Sequence, residues 1–163
     1  MATIPAKTKS IDFEHGGFQN VGTMCDLRNI YDAEDPGHIY AVSRPVIYNE
    51  FAAKHLLSDD VHSSRLAWIK SNESDFVRAI EKPEFVEKTL RLRRDGFYSG
   101  THIVKVSNST SSSDEYMVVA ITYTQNPDQE NSFHQITTIH PKRKREIFTF
   151  TGELRDKYLL VKS

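Results

Sequence analysis

The run Phe133-His-Gln-Ile-Thr-Thr-Ile-His-Pro-Lys-Arg-Lys-Arg145 carries the residue types best suited to chemistry. Its alternation predicts a β-strand that ends in a dense basic cluster. Successive strand side chains point to opposite faces, so His134, Ile136, Thr138 and His140 are expected on one face. An imidazole titrates near neutrality and can carry a proton in either direction. Lys142, Arg143, Lys144 and Arg145 follow at once and could hold a phosphate chain. Two imidazoles, a hydroxyl and clustered cations are the groups that metal-free cleavage of RNA requires.

Further candidates lie upstream. His55, in Phe51-Ala-Ala-Lys-His-Leu-Leu57, falls near the end of an amphipathic segment. There it could move a proton while Lys54 stabilises negative charge, or it could simply complement the helix dipole. Arg91 and Arg93 alternate with Leu90 and Leu92, which puts both guanidiniums on one strand face. A guanidinium grips phosphate bidentately and stabilises a pentavalent transition state. Solvated cations that protect a strand edge are the bland alternative. Thr138 could orient a phosphate oxygen beside His140, and Arg94 joins the cations available for nucleic acid. Tyr98, Tyr116 and Tyr123 could stack bases or pack in the core.

No metal site and no cofactor is expected. His134 and His140 are six residues apart, roughly 20 Å along an extended strand, too far to share one ion. The chain has a single cysteine, Cys25, and neither a His-Glu-x-x-His motif, a phosphate-binding glycine loop nor a Gly-x-Ser-x-Gly elbow.

These groups need a scaffold. Residues 1–37 read as a polar lead-in, with a short helix over 21–33 from Met24, Leu27, Ile30 and Tyr31. Residues 38–163 read as a single α+β domain. His38 to Val42 reads as a short strand. Ser43 as N-cap and Pro45 in the first turn predict a helix from about Arg44 to Leu57. A second helix is expected from near Asp60, ending at Lys82-Pro83. Short strands follow: 88–93, 101–106, 116–123 (across a Ser-rich tip), 133–140, 146–150 and 158–161. Asp95-Gly96 and Asn126-Pro127-Asp128 mark turns. Helices first and strands afterwards predict N-terminal helices packed on a curved antiparallel β-sheet meander.

Composition sets bounds on function. With 163 residues, 38% hydrophobic and 26% charged, the chain can bury a real core. Net charge is −1, but positive charge is concentrated at Arg91, Arg93 and Arg94 and at Lys142 to Arg145. A local basic face on a near-neutral protein suits a defined anion rather than a general coat on nucleic acid. No apolar run is long enough for a transmembrane helix, and the N-terminus lacks a signal-peptide core. A cytoplasmic location without membrane partners is expected.

In this order the residues resemble the barnase–EndoU–colicin–RelE superfamily of small nucleases, in particular its phage-associated branch. The likeness covers about residues 38–145. It rests on Ile39-Tyr-Ala-Val42 leading to Lys54-His55, on Glu81-Lys-Pro-Glu-Phe-Val86, on Arg91 or Arg93 as the strand arginine, on Tyr116-Met-Val-Val-Ala-Ile121, and on Ile136-Thr-Thr-Ile-His-Pro141. The resemblance implies a metal-independent endoribonuclease, of toxin or mobile-element type, with RNA as substrate and an immunity or antitoxin protein as candidate partner. Its site would hold His55, His140, Arg93, Arg91, Thr138 and Lys54, with Lys142, Arg143, Lys144, Arg145 and Arg94 binding nucleic acid. The competing expectation is a nucleic-acid- or protein-binding module of the same fold that performs no chemistry.

Overall fold

A computed structural model of the chain describes residues 3–57, 62–107 and 115–161. The Ser-rich tip and the expected helix start near Asp60 lie outside the described residues. The chain forms strand β1 (Phe18–Thr23), strand β2 (Pro45–Asn49) and three helices, α1 (Glu50–Leu57), α2 (His62–Ser71) and α3 (Glu73–Glu81). Strands β3 (Phe85–Glu87), β4 (Arg91–Leu92), β5 (Tyr98–Lys105), β6 (Glu115–Thr122) and β7 (His134–Arg143) follow. Helix α4 (Lys144–Ile147) and strand β8 (Tyr158–Leu160) complete it. The strands join one open sheet in the order β1-β2-β7-β6-β5-β3-β8, with β4 attached to β5. All described pairings between these strands are antiparallel except β2 with β7. The α+β class holds. The helices are not N-terminal, however: two strands precede them and α4 follows β7.

The expected 44–57 helix is corrected. Val46, Ile47 and Tyr48 are all buried, and this β-branched and aromatic run serves as strand β2 beside β7. The helix begins only at Glu50. Its cap is Asn49, whose Oδ1 accepts the Ala52 N–H at 3.2 Å. Residues 21–33 are not a helix either. Val21 to Thr23 belong to β1, and Gly22 has φ +136°, outside any helical region. Met24 and Leu27 donate their amides to Arg44 and Ala41 instead. This lead-in enters the core, where Phe13, Val21, Met24 and Leu27 are buried. His38–Tyr40 is a 3-10 turn rather than a strand. The expected 146–150 strand starts as α4, where the Glu146 carboxylate accepts the Arg143 amide at 2.7 Å.

The sheet has two different faces. On one, α3 lays Phe76, Ala79 and Ile80 against β5 and β6. Full burial of each large apolar side chain contributes about 1.5–3 kcal/mol. Gly100 on β5 permits this layer to close, because a Cβ there would overlap the Tyr123 hydroxyl. On the other face, Ile103 and Val118 pack with Phe85, Tyr116, Ile147 and Tyr158. The C-terminal segment thus covers one end of that face, and a groove remains at the other end.

Candidate active site

Strand β7 does not alternate regularly. Ala120 pairs with Thr138, but the next β6 residue, Ile121, pairs with Ile136. Thr137 is therefore an extra residue, a β-bulge, and the side-chain phase shifts across it. Before the bulge His134 and Ile136 turn into the core, and after it Ile139 does so. Thr138 and His140 turn to the opposite, open face. The expectation that His134, Ile136, Thr138 and His140 share one face is thus overturned. A period of two cannot survive an inserted residue.

His134 is a structural residue. Its Nδ1 accepts the Thr124 amide at 3.0 Å, and its Nε2 donates to the Val42 carbonyl at 2.8 Å. Both ring nitrogens are used, and burial holds the ring neutral, its pKa pushed down to about 4. His102 is equally internal, with Nε2 2.9 Å from the Tyr123 hydroxyl and a pKa pushed down to about 3 by burial and then by His134.

His140 is only partly covered and lines a cavity of about 350 Å³ together with His55, Arg65, Thr137 and Thr138. The two histidines come from α1 and β7, 85 positions apart in the chain (140 less 55). Three features bring them together. The Asn49 side chain caps α1 and also donates from Nδ2 to Gln135 Oε1 at 3.0 Å, which ties the helix start to β7. Ala52 and Leu56 bury the inner face of α1 against the cavity. The bulge then turns His140 toward it. Burial pulls the His140 pKa below its ordinary value, and the Lys142 and Arg65 charges pull further in the same direction.

A second, wider groove of about 900 Å³ adjoins the first and shares Thr137, Thr138 and His140 as lining. Arg91, Arg93, Arg94 and Lys142 face it, against the carboxylates of Glu87 and Asp95. Arg93 is held in place: its Nε pairs with Asp95 at 3.3 Å and its NH1 donates to Thr122 Oγ1 at 3.2 Å. Thr122 Oγ1 in turn meets Thr137 Oγ1 at 2.6 Å, so the arginine is linked to the bulge. Lys142 Nζ donates to the Tyr158 hydroxyl at 3.3 Å and lies over that ring.

The sequence candidates are thus divided. His55, His140 and Thr138 line the cavity, whereas Arg91, Arg93, Arg94 and Lys142 line the neighbouring groove with Thr138 and His140. Lys54 is exposed on α1 and lines neither. The basic run is split as well. Lys142 faces the groove, while Arg143, Lys144 and Arg145 lie exposed around the start of α4 and outside both linings. Tyr116 and Tyr123 are buried, and Tyr98 stacks on Tyr40 at 5.6 Å, so their rings serve packing. Sequence reasoning misses Arg65. It lies four residues before the buried Ile69 on α2, a cation on the inward side of a helix.

Among the described residues no group of three or more His, Cys, Asp or Glu could hold a metal ion, and no helix is long and apolar enough to cross a membrane. No family model matches the chain, and no curated protein or solved structure matches it.

Proposed function

We propose that the protein is a metal-independent endoribonuclease that cleaves RNA by internal attack of a ribose 2′-hydroxyl. The observation that carries this reading is the shared lining: His55 and His140 border one cavity, roomy enough for a phosphate, with Arg65 beside them. His140 is assigned as the base: burial and the neighbouring Lys142 and Arg65 charges lower its proton affinity, so the ring is neutral at physiological pH and able to accept a proton. It takes the 2′-hydroxyl proton, the 2′ oxygen attacks the adjacent phosphorus, and the phosphorus–O5′ bond breaks. His55 donates a proton to the departing 5′ oxygen. The products are a 2′,3′-cyclic phosphate and a 5′-hydroxyl; His140 then gives its proton to water and His55 takes one up, which resets the site. Cations around the reacting phosphate stabilise the charge that gathers on its equatorial oxygens.

The α+β architecture with its largely antiparallel sheet is compatible with the resemblance to the barnase–EndoU–colicin–RelE superfamily. A toxin or mobile-element role, with an immunity or antitoxin partner, belongs to this same proposal. The test is incubation of total RNA with purified protein in excess EDTA, followed by end-group analysis of the fragments. Fragments ending in 2′,3′-cyclic phosphate are expected. RNA that is retained in a salt-sensitive complex yet stays intact would leave a phosphate-binding module in place of an enzyme.

A further inference from the structure

We propose that the two adjoining basins hold two successive phosphates of one single strand. The reacting phosphate lies in the cavity with Arg65, and a flanking phosphate lies in the groove on Arg91, Arg93 and Lys142. The inference rests on the nuclease reading above and sharpens its substrate: an oligonucleotide with at least two phosphates, in place of a single phosphodiester.

The placement of the cations argues for this. Arg65 reaches the cavity from α2, whereas Arg91 and Arg93 do not line the cavity at all. Arg93 is fixed toward the groove by Asp95 and Thr122 and so is oriented before any ligand arrives. Four cations against two carboxylates give the groove a positive excess suited to a phosphodiester. The basins meet along one wall, because Thr137, Thr138 and His140 line both. A strand crossing this wall would present one phosphate on each side of His140. Arg65 then takes the charge-stabilising part at the reacting centre that the sequence suggests for Arg93.

Steady-state kinetics on two substrates test the division. One is a dinucleoside monophosphate, with a single phosphate. The other is a tetranucleotide containing the same scissile step. The wild type is expected to favour the tetranucleotide in kcat/KM by about 10-fold or more, in line with one added charge-assisted contact. Arg91→Ala/Arg93→Ala should collapse this preference toward one, mainly through KM. Arg65→Ala should lower kcat on both substrates in proportion and preserve the preference. Arg91→Ala alone, at an exposed strand position, gives the same reading should the double variant fail to fold. Equal losses on both substrates in the Arg91/Arg93 variants would place those arginines at the reacting phosphate and overturn the inference while leaving the nuclease reading intact. So would full activity in Arg65→Ala. A wild type that cleaves neither substrate would remove the nuclease reading itself, and this inference with it.

Discussion

His134 and His140 stand on one strand, six residues apart, and meet opposite environments. His134 has both ring nitrogens committed to backbone partners inside the core. His140 borders a cavity, flanked by cations, with a second histidine across it. The same side chain is mortar in one place and, in the function proposed, a proton carrier in the other. What separates them is a single inserted residue, Thr137, which reverses the phase of the strand between them. Residue type alone therefore says little about a histidine. The register of the strand beneath it decides.

The strongest way to break this contrast is to insert one alanine between Thr138 and Ile139. Pairing with β6 past the insertion would then turn Ile139 outward and His140 inward, so the strand could no longer satisfy both faces. Cooperative unfolding should be lost or sharply weakened, and thermal melting followed by circular dichroism checks it. Next in size is His134→Ala. It strips the Thr124 amide and Val42 carbonyl of their partners and should cost on the order of 3 kcal/mol in chemical denaturation.

The contrast also has a pH signature. His102 and His134 have folded pKa values of about 3 and about 4, below their ordinary 6.5. Below pH 6.5 the unfolded chain binds protons that the folded chain refuses. Stability is therefore complete above 6.5 and falls as the pH drops toward 4, by about 1.4 kcal/mol per pH unit for each such histidine. Urea titrations across pH 4–8 should show this decline, and a flat profile would mean that these rings are not sealed from protons. The pH–rate profile should reflect His140 separately. Its depressed pKa keeps the base form available below pH 6.5, so the acid limb of the rate should lie under that value. The smallest effect belongs to Lys54→Ala. The side chain is exposed and lines neither basin, so cleavage should change by no more than a few-fold in the same assay.

Much of the sheet is legible in the chain. The β5–β6 hairpin, the β7 strand, the turn at Gly96 and the end of α3 before Pro83 all follow from local patterns. Pairings made at a distance do not. Strand β2 resembles a helix because Ser43 and Pro45 mimic a start and Ile47 and Phe51 fall at turn spacing; only its burial beside β7 makes it a strand. The bulge leaves no mark either. The run Ile136-Thr-Thr-Ile139 reads the same whether or not the partner strand skips one of its residues. The candidate site is half legible. His55 and His140 stand out by their chemistry, and both line the cavity. Lys54 and most of the basic run are drawn in by adjacency in sequence, which a helix turn or a strand end undoes. Arg65 carries no motif, and its place becomes visible only once α2 is packed on α1, with the cavity bordered by β7.

The central claim is that His55 and His140 act together at one cavity. Cleavage of total RNA in EDTA by His55→Ala and His140→Ala, each first shown to melt like the wild type, tests it most directly. Losses of about 10²–10⁴-fold in rate are predicted for each. Undiminished fragmentation by both folded variants would contradict the account.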